Sequence, residues 1–208
     1  MRDVNINAAV TTDTGNLVAC CGRDVNVNAV ITTTNGSVLL SGGRNVNIDA
    51  VMTTTDGNIT LCAAENLTVS ERITLTRGSS IAGESLDLPL GLVLSAGYGG
   101  TGPGTTGGTL TLAPMTPDVV VVSGPNAPVT ILYNPVSYAT PTDYSGDLTL
   151  TDSVLTQRML VFADGGSKTF DGTTTTTLTG LKGDPTGVTL IAGPGSTANF
   201  ETADVGLA

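Results

Sequence analysis

Residues 2–7 read Arg2-Asp3-Val4-Asn5-Ile6-Asn7, and the phrase returns as Arg23-Asp24-Val25-Asn26-Val27-Asn28 and as Arg44-Asn45-Val46-Asn47-Ile48-Asp49. A weaker copy follows at Glu65-Asn66-Leu67-Thr68-Val69-Ser70, and the step is 21 residues each time. Apolar residues alternate with polar ones inside each copy, which is the two-residue period of a strand. A repeat of this length with strand periodicity means stacked coils, none able to bury its apolar side chains alone. Twenty-one residues fit three short strands and their turns, and successive coils then lie about 4.8 Å apart.

Aligning the copies sorts side chains into columns. Val4, Val25, Val46 and Leu67 share one column, and Ile6, Val27, Ile48 and Val69 the next. Val10, Ile31, Met52 and Ile73 form a third, and Leu17, Val38 and Ile59 a fourth. Leu40 and Leu61 form a fifth, with Ala19 and Ala82 at its ends. These columns predict the core. Gly15, Gly36, Gly57 and Gly78 predict a turn column, which the Asn-Gly and Asp-Gly pairs suggest is held by positive φ. Asn5, Asn26 and Asn47 point outward as an amide ladder. Asn7, Asn28, Asp49 and Ser70 stack beside them. Two threonine columns also face outward, one through Thr11, Thr32, Thr53 and Thr74 and the other through Asp13, Thr34, Thr55 and Thr76.

The register fades after about residue 85. Residues 97–108 are dominated by glycine and predict a projecting loop, the best candidate for a protruding contact element. Six prolines between 114 and 142 suit edge strands and linkers, so the coils are expected to end near 113–135. Leu86–Leu94 reads as one or two irregular coils, Leu110–Leu112 resumes strand character, and Val119–Val122 and Val129–Tyr133 are further strand candidates. A second set follows at Met159–Asp164, Leu178–Leu181, Val188–Ala192 and Ala198–Phe200. The expectation is an all-β chain: a right-handed parallel β-helix over 1–113, regular to about 85, a proline-rich transition or cap over 114–158, and a small sandwich-like β module over 159–208.

Composition narrows the chemistry. The 208 residues hold 18 Asp+Glu against 8 Lys+Arg, a net charge of −10, which argues against nucleic acid or an anionic membrane as partner. Histidine and tryptophan are absent and aromatics make up 3%, so the commonest general base and metal ligand are missing. No apolar run is long enough to span a bilayer as a helix. No apolar leader follows Met1, and the chain opens inside the repeat, so it reads as a segment of something longer.

Candidate sites each have a plain structural reading beside the functional one. Cys20 and Cys62 share a column with Ser41 between them, roughly 9.6 Å apart by strand spacing. That exceeds the limit of about 7 Å between disulfide-bonded Cα atoms. With adjacent Cys21, the three read as small, partly buried thiols. No zinc spacing is present. Asp3 and Asp24 align with Asn45 and Asn66, a turn ladder and not a catalytic pair, and Asp13, Asp49 and Asp56 lie on different columns. A glycosidase or lyase needs convergent groups in a cleft, so the chain is not read as an enzyme. Calcium held by outward Asp is the remaining metal reading, without the Gly/Asp-rich nonapeptide that binds it, and no cofactor is implied. Arg2, Arg23 and Arg44 read as a solvated ridge, and the sequons at Asn35, Asn58 and Asn66 as chance in an Asn/Thr-rich chain. The sharpest recognition candidate is the flat hydroxyl array of Thr32, Thr34, Thr53, Thr55, Thr74 and Thr76, weighed against threonine as an ordinary solvent-facing strand residue.

Two motifs resemble a known family. The coils bearing Asp-Val-Asn-Ile-Asn-Ala and Thr-Thr-x-x-Gly resemble the β-helical repeats of filamentous haemagglutinin-like exoproteins, closely over 1–85 and loosely over 86–135. Lys168-Thr169-Phe170-Asp171-Gly172-Thr173-Thr174 through Ala198-Asn199-Phe200 to Asp204-Val205-Gly206 resembles the YDG module of the same proteins, with Phe170 in place of the family's Tyr. That module normally continues for two or three more strands. The resemblance implies an adhesin secreted by the two-partner pathway to a Gram-negative cell surface, exported through an outer-membrane TpsB-type transporter. Its partners would be host or neighbouring-cell glycans or proteins, with self-association through coil ends and no membrane insertion. Similar threonine arrays occur on ice-binding solenoids, which keeps a second reading open. A polysaccharide-acting β-helix enzyme is the third.

Overall fold

A computed structural model describes residues 2–78, 86–100, 102–103, 108–165, 169, 173–182 and 198–199. Each copy of the repeat folds into three short strands. The first coil comprises β1 (Val4–Ile6), β2 (Val10–Thr12) and β3 (Leu17–Cys21), and the second β4 (Val25–Val27), β5 (Ile31–Thr33) and β6 (Val38–Gly42). The third is β7 (Val46–Ile48), β8 (Met52–Thr55) and β9 (Ile59–Ala63), and the fourth β10 (Leu67–Val69), β11 (Ile73–Thr76) and β12 (Leu92–Ala96). A fifth follows as β13 (Leu110–Leu112), β14 (Val120–Ser123) and β15 (Val129–Tyr133), and two strands of a sixth as β16 (Leu148–Thr151) and β17 (Leu155–Met159). Strands of like position pair in parallel, forming three sheets: A with five strands, B with six and C with six. The fold is a parallel β-helix. Strands of three to five residues do not persist alone, so the stack itself stabilises them.

The predicted inward columns are the core. Val4 pairs with Val25, Val46 and Leu67 in turn, and Val10 with Ile31, Met52 and Ile73. Val25, Ile31, Val38, Leu40, Ile48, Ile59 and Leu61 are fully buried, each such side chain contributing about 1.5–3 kcal/mol. One inward column is not apolar throughout. Thr33 and Thr54 point into the core, where the Thr33 hydroxyl lies 3.1 Å from that of Thr54. Leu75 and Val122 continue their column.

Side chains at two corners tie each coil to the next. At the corner entering sheet A, Asp24 N–H donates to the Asp3 carboxylate, Asn45 N–H to Asp24 and Asn66 N–H to Asn45 (3.3, 3.1 and 3.2 Å). Thr109 N–H then donates to Asn66 at 3.2 Å. At the corner entering sheet C, Ser37 N–H donates to Asn16, Asn58 N–H to the Ser37 hydroxyl and Gly91 N–H to Asn58. These bonds satisfy backbone donors that a turn would otherwise strand.

The glycine column turns the chain between sheets B and C as expected, but for a different reason. Gly15, Gly36 and Gly57 are not among the positive-φ residues, whereas Asp56 is, at φ 53°. A Cβ on Gly36 would lie 2.9 Å from the Gly15 carbonyl carbon and closer still to its oxygen, and Gly57 meets Gly36 in the same way. Close stacking of the turns, not backbone hand, requires glycine here.

The coils outlast the region where they were expected to end. Residues 114–158, predicted as a transition or cap, carry β14, β15, β16 and most of β17, in register with the coils below. The 21-residue step is lost because segments are inserted at the corners while the strands keep their pairing. Leu61 therefore pairs with Leu94, which takes the place assigned to Ala82. Ala82 itself lies outside the described residues. The prolines fall mainly in the connections, where no ladder donor is needed.

Sheet A stops one strand before the others. Where its sixth strand would run, residues 134–147 instead bring Tyr144 into the core. Its hydroxyl donates to the Leu110 carbonyl of β13 at 3.3 Å, and its ring meets Tyr133 edge-on at 5.2 Å. Beyond Met159, β18 (Ala163–Gly165) pairs antiparallel with β20 (Leu178–Leu181), and β19 (Thr175–Thr176) with β21 (Ala198–Asn199). The strand expected over Met159–Asp164 is divided between β17 and β18. That expected at Val188–Ala192 lies outside the described residues.

Candidate recognition face

Alternation puts every second residue of sheet B on its outer face. Thr32, Thr53 and Thr74 lie side by side on β5, β8 and β11, with Thr11 one strand below. Thr55 and Thr76 pair in the second column, with Thr34 just past the end of β5. The structure thus brings all six predicted threonines to one face. It also lengthens the array. Val121 and Ser123 on β14, then Thr149 and Thr151 on β16, continue the two columns. The Thr76 and Ser123 hydroxyls lie 3.2 Å apart. The later rungs were missed because corner insertions hide them from a 21-residue alignment. The in–out alternation of Leu148-Thr149-Leu150-Thr151 was the signal that remained.

Charge is confined to the margins of this face. Asp13 stands at the start of the second column. At the entry edge, Arg72 donates to the carbonyl oxygens of Pro117 and Asp118 (2.8 and 3.4 Å), and Thr149 donates to the Asp118 carboxylate at 2.7 Å. Val30 and Val51, at the starts of the second and third rungs, are exposed. The face is therefore a strip of mainly hydroxyl and methyl groups. Its described outward side chains are Thr, Ser and Val on the strands themselves.

The other candidates resolve as follows. Cys20, Ser41, Cys62 and Ser95 occupy one outward column of sheet C. All three thiols are free, with Cys20 exposed and Cys21 and Cys62 half-buried. Burial, with a smaller effect from Cys20, pushes the Cys62 thiol pKa up. Asp3 and Asp24 serve the corner ladder described above. Arg23 pairs with Asp3 at 3.4 Å, and Arg44 grips Asp24 through Nε at 2.8 Å and through Nη2. The Arg44 hydrogen bond holds the Asp24 carboxyl below its usual range against the opposing effect of burial. The predicted arginine ridge is thus paired for Arg23 and Arg44. Among the described residues, no three His, Cys, Asp or Glu side chains come together as a metal would require.

Comparison with protein-family models, with curated proteins and with solved structures found no match.

The remaining sequence candidates are placed as follows. Asn58 is fully buried, and Asn66 donates to Asn45 at 3.1 Å, so of the three sequons only Asn35 presents an exposed side chain. The described part of 97–108 is docked, not projecting. Gly97 and Gly99 donate to the carbonyls of Ala63 and Ala64 (3.0 Å each), and Tyr98 to that of Gly42 at 3.2 Å. Of Lys168–Thr174, which carries the module resemblance, only Thr169, Thr173 and Thr174 are described.

Proposed function

We propose that this chain is a segment of a rigid stalk in a large secreted bacterial surface protein, an adhesin presenting flat faces to glycans or proteins of a host or neighbouring cell. The observation that carries this reading is the parallel stack running from Val4 to Met159, with strands whose outward residues are mainly uncharged. The repeats resembling filamentous haemagglutinin-like exoproteins support it. Export through a TpsB-type transporter belongs to the same proposal. The test is binding of the purified chain to cells and to glycan and protein arrays. Retention that survives Asp49→Asn and Asp24→Asn but falls on substitution of a sheet face is expected. A chain that binds none of these surfaces refutes the reading.

One observation favours a second reading, a face that orders water on ice. The threonine columns extend beyond the predicted three rungs to Thr149 and Thr151. Thermal hysteresis measured on wild type and Thr53→Tyr decides between them. Freezing depression that disappears in Thr53→Tyr would displace the adhesive reading.

A further inference from the structure

The outer face of sheet A carries a different device from that of sheet B. Asn26 Nδ2 donates to Asn5 Oδ1 and Asn47 Nδ2 to Asn26 Oδ1, each at 2.8 Å. In the neighbouring column Asn28 Nδ2 donates to Asn7 Oδ1 at 2.8 Å. The nitrogens of Asn26, Asn28 and Asn47 thus face the coil below and the oxygens of Asn5, Asn7 and Asn26 the coil above, and Asn26 is held at both ends. A primary amide has two N–H donors and two acceptor lone pairs. The ladder engages one of each on Asn26, which leaves one donor and one acceptor outside the ladder. Amides recur on three successive rungs, at Asn5, Asn26 and Asn47, about 4.8 Å apart. Asn5, Asn7 and Asn28 are exposed, and Asn26 and Asn47 half-buried in the stack.

We infer that this asparagine ladder is a binding strip for a neutral, extended β-linked polysaccharide lying along the axis of the stack. The inference rests on the adhesive reading and narrows it to one face and one ligand class. A fixed donor–acceptor pair suits the vicinal hydroxyls of a sugar, each both donor and acceptor. A β-linked hexose chain advances a comparable distance per sugar, so successive residues meet successive rungs. Charge selects the class: the chain carries −10 overall and Asp49 stands in the second column, so anionic glycans are repelled. Preset amide orientation removes part of the ordering cost of binding.

The structure supplies a fold-safe test. Thr68 pairs with Asn47 in the first column, and Ser70 follows Asp49 in the second, so the stack already accepts hydroxyl residues there. Asn26→Thr/Asn28→Ser therefore removes two amides while leaving residues the coil tolerates, and a melting curve checks the fold. Binding to soluble neutral β-glucan and β-mannan is measured by calorimetry for wild type, this double variant and Thr53→Tyr. Saturable binding weakened at least tenfold in the double variant and unchanged in Thr53→Tyr is expected. Binding lost in Thr53→Tyr but kept in the double variant would overturn the inference and leave an adhesive chain that uses sheet B. Failure to bind any neutral polysaccharide, with cell or protein binding intact, would also overturn it while sparing the broader reading.

Discussion

Replacing Gly36 by alanine should destabilise the stack, whereas the same change at Gly15, in the same column, should not. A Cβ at residue 36 would penetrate the Gly15 carbonyl, lying 2.9 Å from its carbon and 3.2 Å from Thr12 Oγ1. The obstacle is backbone, so relief requires the turn of the second coil to rise against the first. The corner bond from Ser37 N–H to Asn16 and the adjoining bond from Leu17 N–H to the Ser37 carbonyl hold that spacing (2.8 and 3.0 Å). Overpacking of this kind costs about 1–3 kcal/mol, and each weakened hydrogen bond adds about 1 kcal/mol. For a chain of this size 1 kcal/mol moves the melting temperature by about 2–4 °C. At residue 15 the nearest atom to an added Cβ is Thr12 Cβ at 3.6 Å, an ordinary contact, and φ is not positive. Gly15→Ala should be neutral or stabilising by about 0.4–1 kcal/mol through reduced freedom of the unfolded chain. The assay is urea and thermal unfolding of both variants, with hydrogen exchange at residues 34–38 to localise the change, since stacked repeats can open separately. Equal stability of Gly36→Ala and wild type, or equal destabilisation by both variants, would refute the claim that close stacking demands glycine in this column.

Three further outcomes follow from the geometry. The Asp24 carboxyl is held below its unfolded value of about 3.9, so its stabilising contribution is complete above that pH and disappears as pH falls through the lower folded value. Melting temperature should drop on that acid limb, and Asp24→Asn should flatten the drop while lowering stability at pH 7. Cys20 should alkylate faster than Cys62 at pH 8, on the order of tenfold, because burial withholds the Cys62 thiolate; peptide mass spectrometry after timed iodoacetamide treatment measures the ratio. Tyr144→Ala should cost about 3–5 kcal/mol, as large aromatic truncations in a core do, and should speed exchange at Leu110–Leu112 first; Tyr144→Phe should lose only the bond to the Leu110 carbonyl.

Much of this fold was legible because pairing within the first three coils, and through β10 and β11, repeats at one interval, so columns of like residues align by counting. The threonine face was legible for the same reason. Four features were legible only in part or not at all. The later strands expected at Leu110–Leu112, Val119–Val122 and Val129–Tyr133 were legible but their register was not, because segments inserted at corners shift the count without touching the strands, as when Ile59 pairs with Leu92. Thr33 and Thr54 carry no apolar signal, yet mutual hydrogen bonding lets them lie inside. The glycine column was placed correctly and explained wrongly, since Asn-Gly and Asp-Gly pairs signal local backbone hand and carry no information about the coil above. The role of Tyr144 had no local signal, because it depends on where sheet A stops.

The corner insertions carry a consequence for how such a molecule can vary. Vertical spacing is set by backbone pairing within the three sheets, and contour length by whatever hangs between them. The two are independent. A connection can lengthen, as between β11 and β12, without moving the faces on either side. The stack behaves like a ruler whose graduations stay fixed while attachments of any size are fitted along its edges, so new loops can be acquired one corner at a time with the spacing of the existing contact rows preserved.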